Sequence, residues 1–329
     1  MSDVGRVADV SAQTVSRYYT GGYVAPATRA GIEAAIELLD YRHNRLPRIL
    51  RGERTNAIGY LSLGPLNYGN AGILTGISRA ARDAGQTLIT TKLELDPSAS
   101  DTEGAILGAI ENLMSMRVDG IVVGTPYIGM ESVLSDAAKS IPVVSLSEEV
   151  SLGVDSVHAD SHGAARLAVE HLIELGHRRI VHLAGPSTRN EAFERERGYR
   201  ESLAAAGLDP LPVLRCREWD AVSGAEIALQ LDLSTFTAVF AANDEIALGV
   251  MSELRGRGAR CPEDYSIVGI DDMPDSAYFV PPLTSSRIDF EGLGEVALEM
   301  ILHRVRDGVP MPQRTIPIRL SVRESTAAI

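Results

Sequence analysis

The sequence predicts an α/β core of two lobes behind a small all-α head. Three observations predict it. From Thr55 onward, short apolar runs rich in β-branched residues alternate with helical patterns, the order that builds parallel sheets with helices on both faces. About ten such strand–helix units are too many for one small sheet, so two similar lobes with a cleft between them is the economical arrangement. Before Thr55 the chain carries no strand pattern, only short helical segments.

A chain of 329 residues suits two or three domains, and 45% hydrophobic with 23% charged residues is ordinary for a soluble globular protein. No apolar run reaches the ~18 residues of a membrane span, and the first residues carry charges where a signal peptide needs an apolar stretch, so the cytoplasm is expected. Cys216 and Cys261 stand alone, without metal-ligand spacing. The net charge of −13 argues against nucleic acid only until the chain is divided. Residues 1–55 hold eight arginines against six acids, a balance of +2, and the rest holds 23 basic and 38 acidic residues, −15. Arg42, Arg45, Arg48, Arg51 and Arg54 recur every three residues. Such a run is as compatible with a solvated helix face as with a nucleic-acid partner, but an acidic body with a basic head fits DNA binding confined to the head.

In the head, Ser2 and Asp3 can cap a first helix with Val4, Val7 and Ala8 inward. Asp9-Val10 makes a turn. Ser11 caps a second helix, with Val15 inward and Ala12, Gln13, Ser16 and Arg17 outward. Such a pair is a helix-turn-helix unit, in which Gln13 can read adenine and Arg17 guanine. Many small helical hairpins share that spacing. Gly21-Gly22 opens a loop, Pro26 suits the first turn of a third helix, and Ile32, Ile36 and Leu39 give it an apolar stripe. Beyond the linker, AIGYLSL, TLITTKL, GIVVG, PVVSLS and RRIVHLAG read as strands between helical patterns.

The stretch from Trp219 to Asp271 organises the ligand reading. TAVFAAND and YSIVGIDD are apolar runs that stop at polar groups before a helical pattern, the carboxyl ends of strands where open α/β sheets place ligands. Asn243-Asp244 and Asp271-Asp272 are therefore expected on the rim of one crevice, near Trp219, the single tryptophan. Amide and carboxylate groups beside an aromatic face suit a polyhydroxylated ligand such as a sugar. The competing reading is helix capping; Asp244 and Asp272 are assigned to it, Asn243 and Asp271 to the ligand.

With SDVxRxAxVSxQTVSR at the head, YRHNRLPRILRG after it, and LAGP, RxxGY, ANDEIALGVM, GIDD and PPLT in order along the core, the chain resembles the LacI/GalR family of bacterial transcriptional regulators over essentially its whole length. The resemblance implies a type I periplasmic-binding-protein-like core whose lobes are joined by three crossovers. It also implies a repressor that binds a pseudo-palindromic operator as a homodimer. Ala12, Gln13 and Arg17 match base-reading positions, and Thr14, Ser16 and Thr28 phosphate contacts. Asn44 would begin a hinge helix and Leu50 would wedge into the minor groove. Ser147, Arg195, Trp219, Asn243, Asp271 and Phe290 match effector positions, so a small-molecule sugar, neutral and of the β-galactoside kind, is the expected partner. Relatives responding to purines or sugar phosphates share the fold. The division implied is a head of 1–43, a hinge of 44–55, an N-terminal lobe of 56–157 with 288–313, and a C-terminal lobe of 158–287 with 314–329.

Departures from the family pattern bear on function. Asp9 stands where the turn commonly has glycine, and Gly5 replaces a helical alanine at a cost of roughly 1 kcal/mol. His43 replaces a common proline, and Pro47 is tolerable only in the first turn of a hinge helix. Ser147 stands where galactoside-binding members have an aspartate; the neighbouring Glu148 is expected to point the other way along a strand. The chain begins at the first helix, without the few residues that normally precede it in the family, so a native start upstream of Met1 is expected, and the absence of a leucine heptad tail after Ser325 points to a dimer. No GxGxxG, GxxxxGK[ST], HExxH or GxSxG is present, so neither an enzyme nor a cofactor is expected. A transport binding protein would have no use for residues 1–54. His158 and His162 have helical metal-ligand spacing but are expected to flank the first crossover. Arg195 as a core ion pair and Trp219 as plain core remain competing readings.

Overall fold

The computed structural model describes residues 1–19, 21–41, 54–95, 101–124 and 127–329. They form two compact units, Met1–Thr55 and Asn56–Ile329. Most of the expected hinge, with Asn44, Leu50 and the arginines at 42, 45, 48 and 51, lies outside the described residues.

In the first unit, α1 (Ser2–Val7), α2 (Ala12–Tyr19) and α3 (Pro26–Leu38) close on Val4, Val15, Val24, Ile32 and Ala35. The Ser11 hydroxyl accepts from the Thr14 amide at 3.1 Å, capping α2 as expected. Asp9 takes the left-handed conformation (φ 52°) that explains glycine's usual place in such a turn. Two details differ from expectation. Met1 is the N-cap of α1, with Ser2 and Asp3 already helical, and Val7 and Leu39 are exposed while Val24 and Ala35 fill the core. Gly5 has a packing reason: a Cβ there would lie 2.7 Å from the Val10 carbonyl oxygen.

The second unit is two six-stranded sheets flanked by helices. The first lobe runs β1 (Ala57–Leu63), α4 (Tyr68–Asp83), β2 (Thr87–Leu93), α5 (Thr102–Ser115), β3 (Gly120–Gly124), α6 (Glu131–Ala137), β4 (Val143–Ser145) and β5 (Asp155–Ala159). The second runs α7 (Ser161–Glu174), β6 (Ile180–Ala184), α8 (Asn190–Ala205), β7 (Leu214–Arg215), α9 (Ala221–Ala228), β8 (Ala238–Ala241), α10 (Asp244–Gly256), β9 (Ser266–Asp271), a 3-10 turn (Pro274–Tyr278) and β10 (Thr284–Arg287). The chain then returns through α11 (Phe290–Asp307) and β11 (Arg314–Ile316) to the first lobe, and ends with β12 (Arg319–Ser321) in the second.

The first sheet has the order β11-β5-β4-β3-β1-β2 and is parallel throughout. The second, β12-β10-β9-β8-β6-β7, is parallel except where β12 meets β10. Both are buried on two faces, which is why β1, β3, β6, β8 and β9 are mostly apolar rather than alternating. Two lobe boundaries shift. β5 stays in the first sheet to Ala159, past 157, and β11 pairs with β5 there, so the last crossover follows Ile316 rather than 313. Pro317, which has no amide proton to give a ladder, stands at that break.

Candidate functional site

On the head, Val15 holds α2 to the core, and the helical period turns Ala12, Gln13 and Arg17 to the exposed side. Thr14, Ser16 and Thr28 are half-buried. The outward side of α2 is therefore polar with an arginine in its last turn, a surface suited to base edges and phosphate oxygens.

In the core, all six residues expected at an effector site come together. Ser147, Arg195, Trp219, Asn243, Asp271 and Phe290 line one cleft between the lobes, with about 840 Å³ of empty space including its open mouth. The parallel sheets cause this: Ser147 follows β4, Asn243 follows β8, Asp271 ends β9, and Phe290 opens α11 just after the second crossover. Arg195 projects from α8, is buried, donates from Nη1 to the Ala242 carbonyl at 2.6 Å, and lies 5.1 Å from the centroid of the Trp219 ring. Gly185, just after β6, makes room for that ring; a Cβ there would stand 2.3 Å from it. Phe290 meets Tyr68 edge-on at 5.8 Å and is admitted by Gly69 and Gly72 of α4. Arg195 and Trp219 are thus both core groups and cleft-lining groups, so the competing readings are not exclusive.

The capping assignments are corrected. Asn243, not Asp244, caps α10: its Oδ1 accepts from the Ile246 amide at 2.9 Å while Nδ2 donates to the Trp219 carbonyl at 3.0 Å. Asp244, fully buried, accepts from the Ser285 hydroxyl at 2.5 Å and the Met273 amide at 2.9 Å. Gly269 of β9 leaves space for that carboxylate. Asp272 caps nothing either; it accepts from Arg323 at 2.5 Å and Ser321 at 2.8 Å. These contacts hold Asp271 and Asp272 at positive φ (113° and 50°), a strained turn beside the cleft.

Burial raises the Asp271 carboxyl to about 7, against the pull of Arg195. Glu148 was expected to face away. It lines the cleft instead, because β4 ends at Ser145 and strand alternation no longer applies. Burial, opposed by the Ser161 amide it accepts and assisted by Glu194, Glu191 and Asp160, lifts it to about 7.

Asn67, Asn70, His158, Arg189, Asn190 and Glu191 also line the cleft and are not among the six expected effector residues. Asn67 follows β1 and caps α4, so the strand-end rule applied to the first strand would have found it. Arg189 ties the lobes together: its guanidinium lies 3.9 Å from the Tyr127 ring centroid and donates to the Leu63 carbonyl at 3.3 Å. His158 contacts Thr315 and His162 contacts Glu201, so the two do not share a site. Among the described residues no cluster of three or more His, Cys, Asp or Glu could hold a metal ion, and no helix is long and apolar enough to cross a membrane.

Residues 1–44 match the model of the bacterial regulatory proteins of the lacI family, and residues 169–326 match that of a periplasmic-binding-protein-like domain. The lactose operon repressor of Escherichia coli K12 is 31% identical over 330 residues, covering 99% of this chain and 90% of that one. The ribose operon repressor of the same strain is 30% identical over 320 residues, covering 95% of each. The crystal structure of the lac repressor dimer bound to operator and the anti-inducer ONPF matches with a TM-score of 0.89 at 30% identity, over 99% of this chain and 98% of that chain.

Proposed function

Because the chain belongs to the lacI family of bacterial regulatory proteins, and is a DNA-binding transcriptional repressor rather than an enzyme, we propose that a sugar bound between its lobes controls its hold on operator DNA in the cytoplasm. One observation carries the effector reading. A buried arginine, a buried carboxylate, a capping asparagine and two aromatic rings share one inter-lobe cleft. Arg195 and Asp271 would bind hydroxyls, and Trp219 and Phe290 would cover the apolar face of a pyranose. Glu148, Glu191 and Asp271 disfavour a sugar phosphate by like-charge repulsion.

On DNA, a homodimer would place two α2 helices in a pseudo-palindromic operator. Ala12, Gln13 and Arg17 would meet base edges, and Thr14, Ser16 and Thr28 phosphates; Asn44 and Leu50 would belong to the hinge. The sugar would change how the lobes meet, and so which arrangement of the dimer is favoured: two sites coupled through one two-state element.

The test follows Trp219 emission while titrating β-galactosides, other neutral sugars, amino sugars, sugar phosphates and purines, then repeats operator binding with and without the responding ligand. A saturable response to a sugar that also changes operator affinity is expected. Response only to purines or phosphates, or a sugar response that leaves operator affinity unchanged, would overturn the reading.

A further inference from the structure

The cleft gathers three carboxyl groups. Glu148 comes from the first lobe, Glu191 and Asp271 from the second, and all three line it. Glu191 Oε2 and Asp271 Oδ1 are buried without a hydrogen-bond partner among the described residues, as is His158 Nδ1. The Asp271 side chain is almost wholly buried (residue exposure 6%), so solvent does not satisfy it. The carboxylates also act on one another: the Glu191 charge raises both Glu148 and Asp271, and Asp160 and Glu194 add to it at Glu148.

The two arginines of the lining do not balance this. Arg189 is engaged by the Tyr127 ring and the Leu63 carbonyl. Arg195 donates from Nη1 to the Ala242 carbonyl and stands 3.7 Å from Asp271, and with Nε unpartnered among the described residues it is a single cation for three carboxyl groups. An ionised carboxylate can only accept, a hydroxyl brings one proton and no charge, and an ammonium group brings three protons and a positive charge.

We propose that the sugar taken by this cleft carries a primary amine, bound as the ammonium ion by Glu148 and Glu191, with Glu191 as the residue that selects it. The proposal rests on the sugar reading above and narrows it. Glu191 lies in the first turn of α8, two residues after Arg189, the inter-lobe tie, so an ammonium group shared by Glu148 and Glu191 would bridge the lobes near the same place.

Calorimetry on the full-length protein at pH 7 tests it, with galactosamine and glucosamine, the parent hexoses, their N-acetyl forms and their 6-phosphates. A free hexosamine is expected to bind at least tenfold tighter than its parent hexose, and its N-acetyl form, which has lost the charge, no tighter than the parent. Glu191→Gln, nearly isosteric, is expected to reduce the amine-to-parent ratio to about twofold or less. Parent hexoses binding as tightly as hexosamines would overturn the amine while leaving the sugar reading intact. Binding of none of them would overturn both, and an unchanged ratio in Glu191→Gln would remove Glu191 as the selecting residue. Trp219 emission of the free variant, compared with the parent protein, separates loss of selectivity from a disturbed fold.

Discussion

The Arg195 guanidinium lies 3.7 Å from Asp271 Oδ1, close enough for attraction between charges and too far for a hydrogen bond. That oxygen and Arg195 Nε are both buried without a hydrogen-bond partner among the described residues. Two polar groups held this way are costly unless something arrives to bond them, which supports the proposed effector site.

Unfolded, the Asp271 carboxyl titrates near 4; folded, burial raises it to about 7. The folded state therefore holds the proton more tightly, and this group's contribution to stability is complete below pH ~4 and lost as pH rises through about 7. Asp271→Asn should gain on the parent protein by on the order of 3 kcal/mol between pH 4 and pH 8. Glu148, raised to about 7, keeps some slope in the variant. Thermal unfolding of the ligand-free protein across that range checks this; parallel curves for both proteins would refute it.

Asn243 does two structural tasks, capping α10 and anchoring the Trp219 carbonyl. Asn243→Ala should cost about 2 kcal/mol, one part from the cap and one from the lost hydrogen bond. Denaturant unfolding measures the loss. A red-shifted Trp219 emission should accompany it, as the ring gains solvent.

Gly185→Ala introduces a methyl group 2.3 Å from the Trp219 ring, so the indole must move. Ligand affinity should fall at least tenfold with operator affinity in the absence of ligand retained. Equal affinity in variant and parent would mean that the ring position does not matter to the ligand.

Arg17→Ala and Asp271→Ala should divide the two activities. The first should lose ~1–3 kcal/mol of preference for operator over random DNA while still responding to ligand through Trp219. In the second, operator binding should persist and become insensitive to sugar. Electrophoretic shifts on specific and random duplexes, with and without ligand, distinguish these outcomes.

Much of this protein is legible in its residues because the relevant signals are local. Apolar runs followed by helical patterns reveal the sheets, and strand ends mark Asn243 and Asp271 as neighbours of a cleft, since a parallel sheet sends the ends of its strands to one rim. Ser11, Val15 and the outward side of α2 follow from capping and helical period. What the tertiary structure alone decided are matters of partner and direction. Asp244 and Asp272 look like caps, yet they bond Ser285 and Arg323, residues far along the chain. Glu148 turns inward because β4 is short, and Glu191, an ordinary acid on a helix in sequence, shares a cleft with Glu148 only because two lobes face each other. Local pattern follows from steric and solvation preferences of a few consecutive residues; which buried charges share a cavity depends on contacts between segments that no local preference encodes.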